Sequence, residues 1–79
     1  MELHIIYTET EMLLSKERFG SWREIQDQYA DFKTSLGPWD HEAVVEYLGS
    51  EYSGLMPSAA SQVEALLGTK APTCVLTFQ

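Results

Sequence analysis

Seventy-nine residues with 5 Lys+Arg against 12 Asp+Glu, a formal net charge of −7, describe one small acidic domain spanning 1–79. A hydrophobic share of 44% with 11% aromatics supports a packed core and argues against disorder. The charge balance argues against direct nucleic-acid binding, which needs a basic footprint, and against docking on anionic membranes.

Leu3, Ile5 and Tyr7 alternate with Glu2, His4 and Ile6, the period of a half-buried strand over residues 2–7. The N-terminus has neither the basic region nor the apolar run of a secretory leader, and no stretch has the length of a membrane-spanning helix. Cys74 is the single cysteine and has no partner for an internal disulfide. A cytoplasmic setting, in the cell or in a host cell, is expected on these grounds.

Thr8-Glu9-Thr10-Glu11 has the form of a capping box, and the residues after it are mostly good helix formers up to Gly20. A short helix over 9–18 is expected. Met12, Leu13 and Leu14 do not establish a period, so a second strand, making 2–18 a hairpin, is the alternative. Ser21-Trp22-Arg23-Glu24 is a second capping box. Trp22, Ile25, Tyr29, Phe32 and Leu36 follow at spacings of 3, 4, 3 and 4, which predicts a helix over 22–35 ended by Gly37-Pro38.

Asp40 is expected to cap a helix over 41–48, with Glu42 in its first turn and Val44, Tyr47 and Leu48 inward. Residues 49–57 are expected to form a loop carrying Tyr52, Leu55 and Met56. A last helix runs over 57–67, a turn follows, and 73–78 read as a closing strand. The expected fold is thus α+β: about four short helices packed on a minimal sheet in which the N- and C-terminal strands pair, in the order β-α-α-α-α-β. The edges of so small a sheet are open to another chain.

Catalytic patterns are sparse. Cys74 and His4 lie on the two terminal strands and would approach each other only in a favourable register; each otherwise reads as core. Asp40, His41, Glu42 and Glu46 include metal-ligand types, but adjacent helical residues point apart, and no paired His or Cys motif accompanies them. Gly68-Thr69-Lys70 lacks the upstream glycine of a phosphate loop. No cofactor and no enzymatic activity are expected.

Residues 34–69 hold Asp40, Glu42, Glu46, Glu51 and Glu64 and no Lys or Arg. With Asp27 and Asp31 they predict an acidic surface across two helices. Carboxylates at helical spacing approach the spacing of backbone phosphates within a factor of two. Such a surface suits a groove that normally holds DNA or RNA, with association steered by charge and weakened by salt.

The profile resembles, as a class and through no residue pattern, the small phage-encoded inhibitors of host defence such as anti-CRISPR proteins. That likeness implies a non-enzymatic inhibitor covering a basic surface of a nucleic-acid-handling complex. Asp27, Asp31, Asp40, Glu42, Glu46 and Glu51 are its expected contacts, with Tyr52 as an anchor. A structural protein that self-associates into a homo-oligomer through an open strand edge or the 49–57 loop is the second reading. A small cysteine-dependent enzyme is the third.

Overall fold

The computed structural model describes residues 2–78. The chain forms β1 (Glu2–Thr8), β2 (Met12–Ser15), α1 (Trp22–Gln28), β3 (Phe32–Asp40), α2 (His41–Glu51), α3 (Ala59–Leu67) and β4 (Thr73–Val75). The strands make one antiparallel sheet in the order β3-β1-β2-β4. The α+β class is as expected, but with three helices in place of four and a larger sheet. The two terminal strands are not neighbours: β1 pairs with β2 and β3, and β4 pairs with β2.

The alternation of β1 explains the layering. Leu3 and Ile5 point to one face, where they meet Val44 and Leu48 of α2 and Val63 and Leu66 of α3. Ile6 points to the other face and packs with Leu13 and with Ile25 of α1. The sheet is therefore covered by α2 and α3 on one side and by α1 on the other. Residues 3–6 are all buried, which a strand achieves when both its faces are covered.

One expected helix gave way to a strand, and a second did so in its latter part. Over 9–18 the hairpin alternative holds. Thr8 does make the hydrogen bond of an N-cap, its Oγ1 accepting the Glu11 N–H at 3.0 Å. The same hydroxyl donates to the Glu11 carbonyl at 3.1 Å, and the Thr8 N–H donates to that carbonyl at 3.0 Å. The motif closes a hairpin turn, and β2 runs back along β1 with Leu14 opposite Ile5 and Leu13 opposite Ile6. All four residues of β2 are buried, so no polar alternation marks its period.

The helix expected over 22–35 ends at Gln28. Its start is as expected: the Glu24 carboxylate accepts the Ser21 N–H at 3.0 Å and also the Gly20 N–H. Ile25 is its one buried residue, and Trp22, the first of the five-residue stripe, is 56% exposed. Phe32 packs in the α1-side core and Leu36 in the α2-side core. One stripe of one helix cannot serve two opposite faces of a sheet, whereas a strand does so when a bulge shifts its alternation, as the register shift between Phe32 and Thr34 does here.

Gly37 and Pro38, expected as a helix stop, lie within β3, at a bulge where the register slips between the Leu3–Trp39 and Ile5–Leu36 pairs. Gly37 has φ +118°, and a Cβ there would stand 2.7 Å from the Leu3 carbonyl oxygen. Only glycine fits this position without strain.

The second half of the chain follows expectation more closely. α2 begins after Asp40 but runs through Gly49 to Glu51, so the loop after it is shorter than expected. Asp40 occupies the N-cap position without a side-chain capping bond. α3 starts at Ala59, not 57, with the Ser58 hydroxyl accepting the Ser61 N–H at 3.3 Å. β4 is limited to Thr73–Val75. The chain beyond it crosses to the segment before α3 through a Leu55–Phe78 bridge and a Met56 N–H donating to the Thr77 carbonyl at 3.2 Å.

Candidate functional site

The expected partner-binding residues are spread over the fold. Asp27 lies exposed on α1, on one side of the sheet. With Glu17, Glu24 and Arg18 it lines an open hollow of about 660 Å³. Asp31 sits at the corner between α1 and β3. Its Oδ2 accepts from the Thr10 hydroxyl at 3.3 Å, and its carbonyl accepts the Glu9 N–H at 3.1 Å. It ties that corner to the β1–β2 turn. Asp40 closes β3 at the other end, opposite Glu2 in the register.

Glu42 and Glu46 are exposed one helical turn apart on α2, so they share a face. Glu51, five residues further, is rotated by about 140° from Glu46 on an ideal helix. Glu64 is exposed on α3 beside α2. The acidic surface joining Asp27 and Asp31 to α2 is therefore not formed, because the sheet stands between α1 and α2. The layer of α2 and α3 carries a one-signed set by itself.

Within α2 and α3 no lysine or arginine offsets that set. Lys16, on the segment after β2, reaches the C-terminal end of α3. Its ammonium donates to the Leu66 carbonyl at 2.8 Å and to the Thr69 carbonyl. The Leu66 carbonyl is one that a helix end leaves without a partner one turn on, and Thr69 lies in the turn that follows. Arg18, Arg23 and Lys33 lie on the segment before α1, on α1 and on β3, and Lys70 is exposed in the turn just after α3.

Tyr52 is half-buried as the C-cap residue of α2. Its hydroxyl lies 3.1 Å from that of Tyr7, which in turn lies 3.4 Å from that of Tyr47. Burial, then the two neighbouring phenols, hold the Tyr7 hydroxyl well above the ordinary tyrosine range. The Tyr52 ring stands edge-on to Tyr47 and Phe78, and Tyr47 edge-on to Trp39. The row Trp39–Tyr47–Tyr52–Phe78 flanks α2, and Phe78, 48% exposed, is its most open member. Sequence reasoning missed this row because it joins residues up to 39 positions apart. Leu55, from the expected interaction loop, is buried in the core, and Met56 is exposed.

His4 and Cys74 are not brought together. Cys74 stands opposite Leu14, itself opposite Ile5, and so joins the α2–α3 face. His4 stands opposite Ser15 on the α1 face. Burial pushes the Cys74 thiol up, against a smaller lowering by a backbone hydrogen bond from Leu14. His4 is 6% exposed, its ring edge-on to Phe19 and its Nδ1 without a hydrogen-bond partner. Burial lowers its pKa from 6.5, and Glu2 opposes this weakly. Nδ1 of His41 lies 3.2 Å from Asp40 Oδ1, outside hydrogen-bonding geometry. Among the described residues, no three His, Cys, Asp or Glu side chains converge as a metal site would require.

No helix among the described residues is long and apolar enough to cross a membrane. No protein-family model matches the chain, and comparison with curated proteins and with solved structures finds no similar protein.

Proposed function

We propose that the protein is a non-enzymatic binding module that works in the cytoplasm as an inhibitor, its α2–α3 layer covering a basic surface of a nucleic-acid-handling complex. One observation carries this reading. Asp40, Glu42, Glu46, Glu51 and Glu64 all fall in the stretch that builds this layer, which contains no Lys or Arg. Lys16, which reaches it from another element, is engaged by the carbonyls of Leu66 and Thr69, and Lys70 stands at its border, after the end of α3. A field of one sign on one side of a small domain raises the rate of encounter with a basic groove. The exposed Phe78 ring beside Tyr52 supplies an apolar anchor at the edge of that field. Asp27 and Asp31, on the other side of the sheet or tied into its corner, contribute to net charge and not to this contact. The likeness in size and acidity to anti-CRISPR inhibitors agrees with this function.

The test is charge reversal. The chain and its Glu42→Lys/Glu46→Lys/Glu51→Lys variant are each immobilised and exposed to lysate at about 50 mM and about 500 mM salt, where the screening length differs roughly threefold. A nucleic-acid-binding complex held by the wild type at low salt, and lost with the variant, is the expected result. Equal retention by the variant, or capture indifferent to salt, overturns the electrostatic reading.

A further inference from the structure

The α1 side of the sheet carries a feature of a different kind. β3 is an end strand, paired with β1 along one side only. α1 lies beside it, and between them runs a groove. One hollow of about 430 Å³ is lined by Trp22 and Gln26 of α1 and by Phe32, Lys33, Thr34 and Ser35 of β3. A second, of about 150 Å³, shares Trp22 and Ser35 and continues past His4 and Phe19 to Pro38. A strand edge with an adjoining helix offers two things together. Free backbone groups take up an extended chain, and the hollows take its alternate side chains.

The charges select the occupant. Among the described residues, Lys33 is the only charged one lining the larger hollow, and no carboxylate lines either one. Among the described residues no carboxylate lies within 4 Å of the Lys33 ammonium. Arg23 stands over the Trp22 ring, 5.5 Å from its centre, at the same rim. In a chain of net charge −7 the larger hollow is a local cationic exception, while the Glu24 carboxylate, held by the Gly20 and Ser21 N–H groups, borders the smaller one.

The shape of β3 weighs against a second copy as the occupant. Register shifts flank Thr34–Leu36, and Pro38 has no N–H to give. A ladder that short does not support edge-to-edge pairing of two whole domains by itself. A peptide gains instead from the hollows on either side of Trp22, whose ring is 56% exposed.

We infer that the groove between α1 and the free edge of β3 is a peptide-binding site. It takes an extended segment of a partner protein that alternates apolar and acidic residues, adds as a short fifth strand along Thr34–Leu36, seats an apolar side chain against Trp22 and sets a carboxylate on Lys33. The site lies across the sheet from Glu42 and Glu46 and works independently of the acidic layer.

The experiment is selection of a random peptide library displayed on phage against the full chain. Counter-selection uses the Trp22→Ala/Lys33→Glu variant, whose two substitutions alter exposed side chains. One enriched peptide is then synthesised and titrated into 15N-labelled protein. The expected result is enrichment of alternating apolar–acidic sequences. The peptide should shift the amides of Lys33 to Leu36, and its affinity should fall on the order of tenfold in either single variant. Enriched sequences of net positive charge, enrichment equal on the double variant, or shifts confined to α2 and α3 overturn the proposal. So does a dimer in light scattering whose β3 amides are already protected from exchange.

Discussion

The side-chain amide of Gln62 brackets the backbone of Thr77: Nε2 donates to the Thr77 carbonyl at 3.0 Å, and Oε1 accepts the Thr77 N–H at 2.9 Å. Nε2 also donates to the Pro57 carbonyl at 2.7 Å. Gln62 is buried on the inner side of α3, where an apolar residue would be the ordinary choice. It substitutes for a strand partner at the point where the chain after β4 has left the sheet. The amide holds α3, the segment before it and the C-terminal segment as one unit.

Replacing Gln62 by Leu roughly keeps the volume and removes these three bonds together with a fourth, from the Thr77 hydroxyl to Oε1 at 3.4 Å. The Thr77 N–H and the Pro57 carbonyl would then lose their partner beside the core, while the Thr77 carbonyl keeps the Met56 N–H. A loss of about 2–3 kcal/mol in unfolding free energy is expected. Urea unfolding of the two proteins measures it, and an unchanged midpoint would show that water replaces the amide.

Gly37→Ala should cost about 1–3 kcal/mol, since alanine meets both the left-handed φ of +118° and the Leu3 carbonyl. Gly49→Ala, where the added carbon meets nothing within 4 Å in the last turn of α2, should stabilise by up to about 0.5–1 kcal/mol. Thermal unfolding of the pair separates a glycine needed for its backbone from one that is merely tolerated.

Trp22 and Ile25 fall on the same apparent stripe, yet the fold uses them oppositely. Ile25→Ala, in the α1-side core, should destabilise by about 2–4 kcal/mol. Trp22→Ala, at an exposed position, should change stability by less than about 1 kcal/mol. Equal losses would mean that Trp22 is covered in solution.

Much of the fold is legible in the residues, and the failures have particular causes. The alternation of Leu3, Ile5 and Tyr7 marks β1 because strand period and burial agree there. α2 and α3 are legible because Val44 and Leu48, and Val63 and Leu66, keep one face each to a single core. Phe32 and Leu36 misled because a spacing of 4 satisfies a helix and also suits a bulged strand between two cores. Thr8 misled because a hydroxyl accepting an amide three residues on serves a hairpin as well as a helix. Strand order was not legible, since buried strands with two covered faces carry no mark of their neighbour. The expected acidic surface failed in its extent for the same reason. Asp27 and Asp31 were joined to α2 on the premise of a continuous helix, and the sheet separates them.

His4 makes stability depend on acid. Its folded pKa is held below 6.5 by burial, while the unfolded chain protonates near 6.5. The unfolded state therefore binds a proton first as pH falls. The contribution of His4 is fully present above about pH 6.5 and is lost progressively below it, down to the depressed folded value. Denaturation midpoints should fall across this range in the wild type and fall less in His4→Phe. Parallel curves would contradict the burial of the imidazole.

The alkaline side belongs to Tyr7, whose raised pKa makes the unfolded chain release its proton first. Stability should decline as pH rises beyond about 10, and Tyr7→Phe should flatten that decline at a cost near neutrality of about 1 kcal/mol. Cys74, half-buried and with its pKa raised, should react slowly with iodoacetamide near neutral pH until the protein is unfolded. Rapid alkylation of the folded chain would revive a thiol-based activity.

The central claim is that the acidic layer of α2 and α3 occupies a surface made for nucleic acid. The direct measurement is competition: labelled DNA or RNA is bound to the purified complex recovered at low salt, and the protein is titrated in while fluorescence anisotropy is followed. Displacement by the wild type, weakened by about tenfold or more in the Glu42→Lys/Glu46→Lys/Glu51→Lys variant and by added salt, is the predicted result. Nucleic acid that stays bound at saturation, or is displaced equally by the variant, would contradict it.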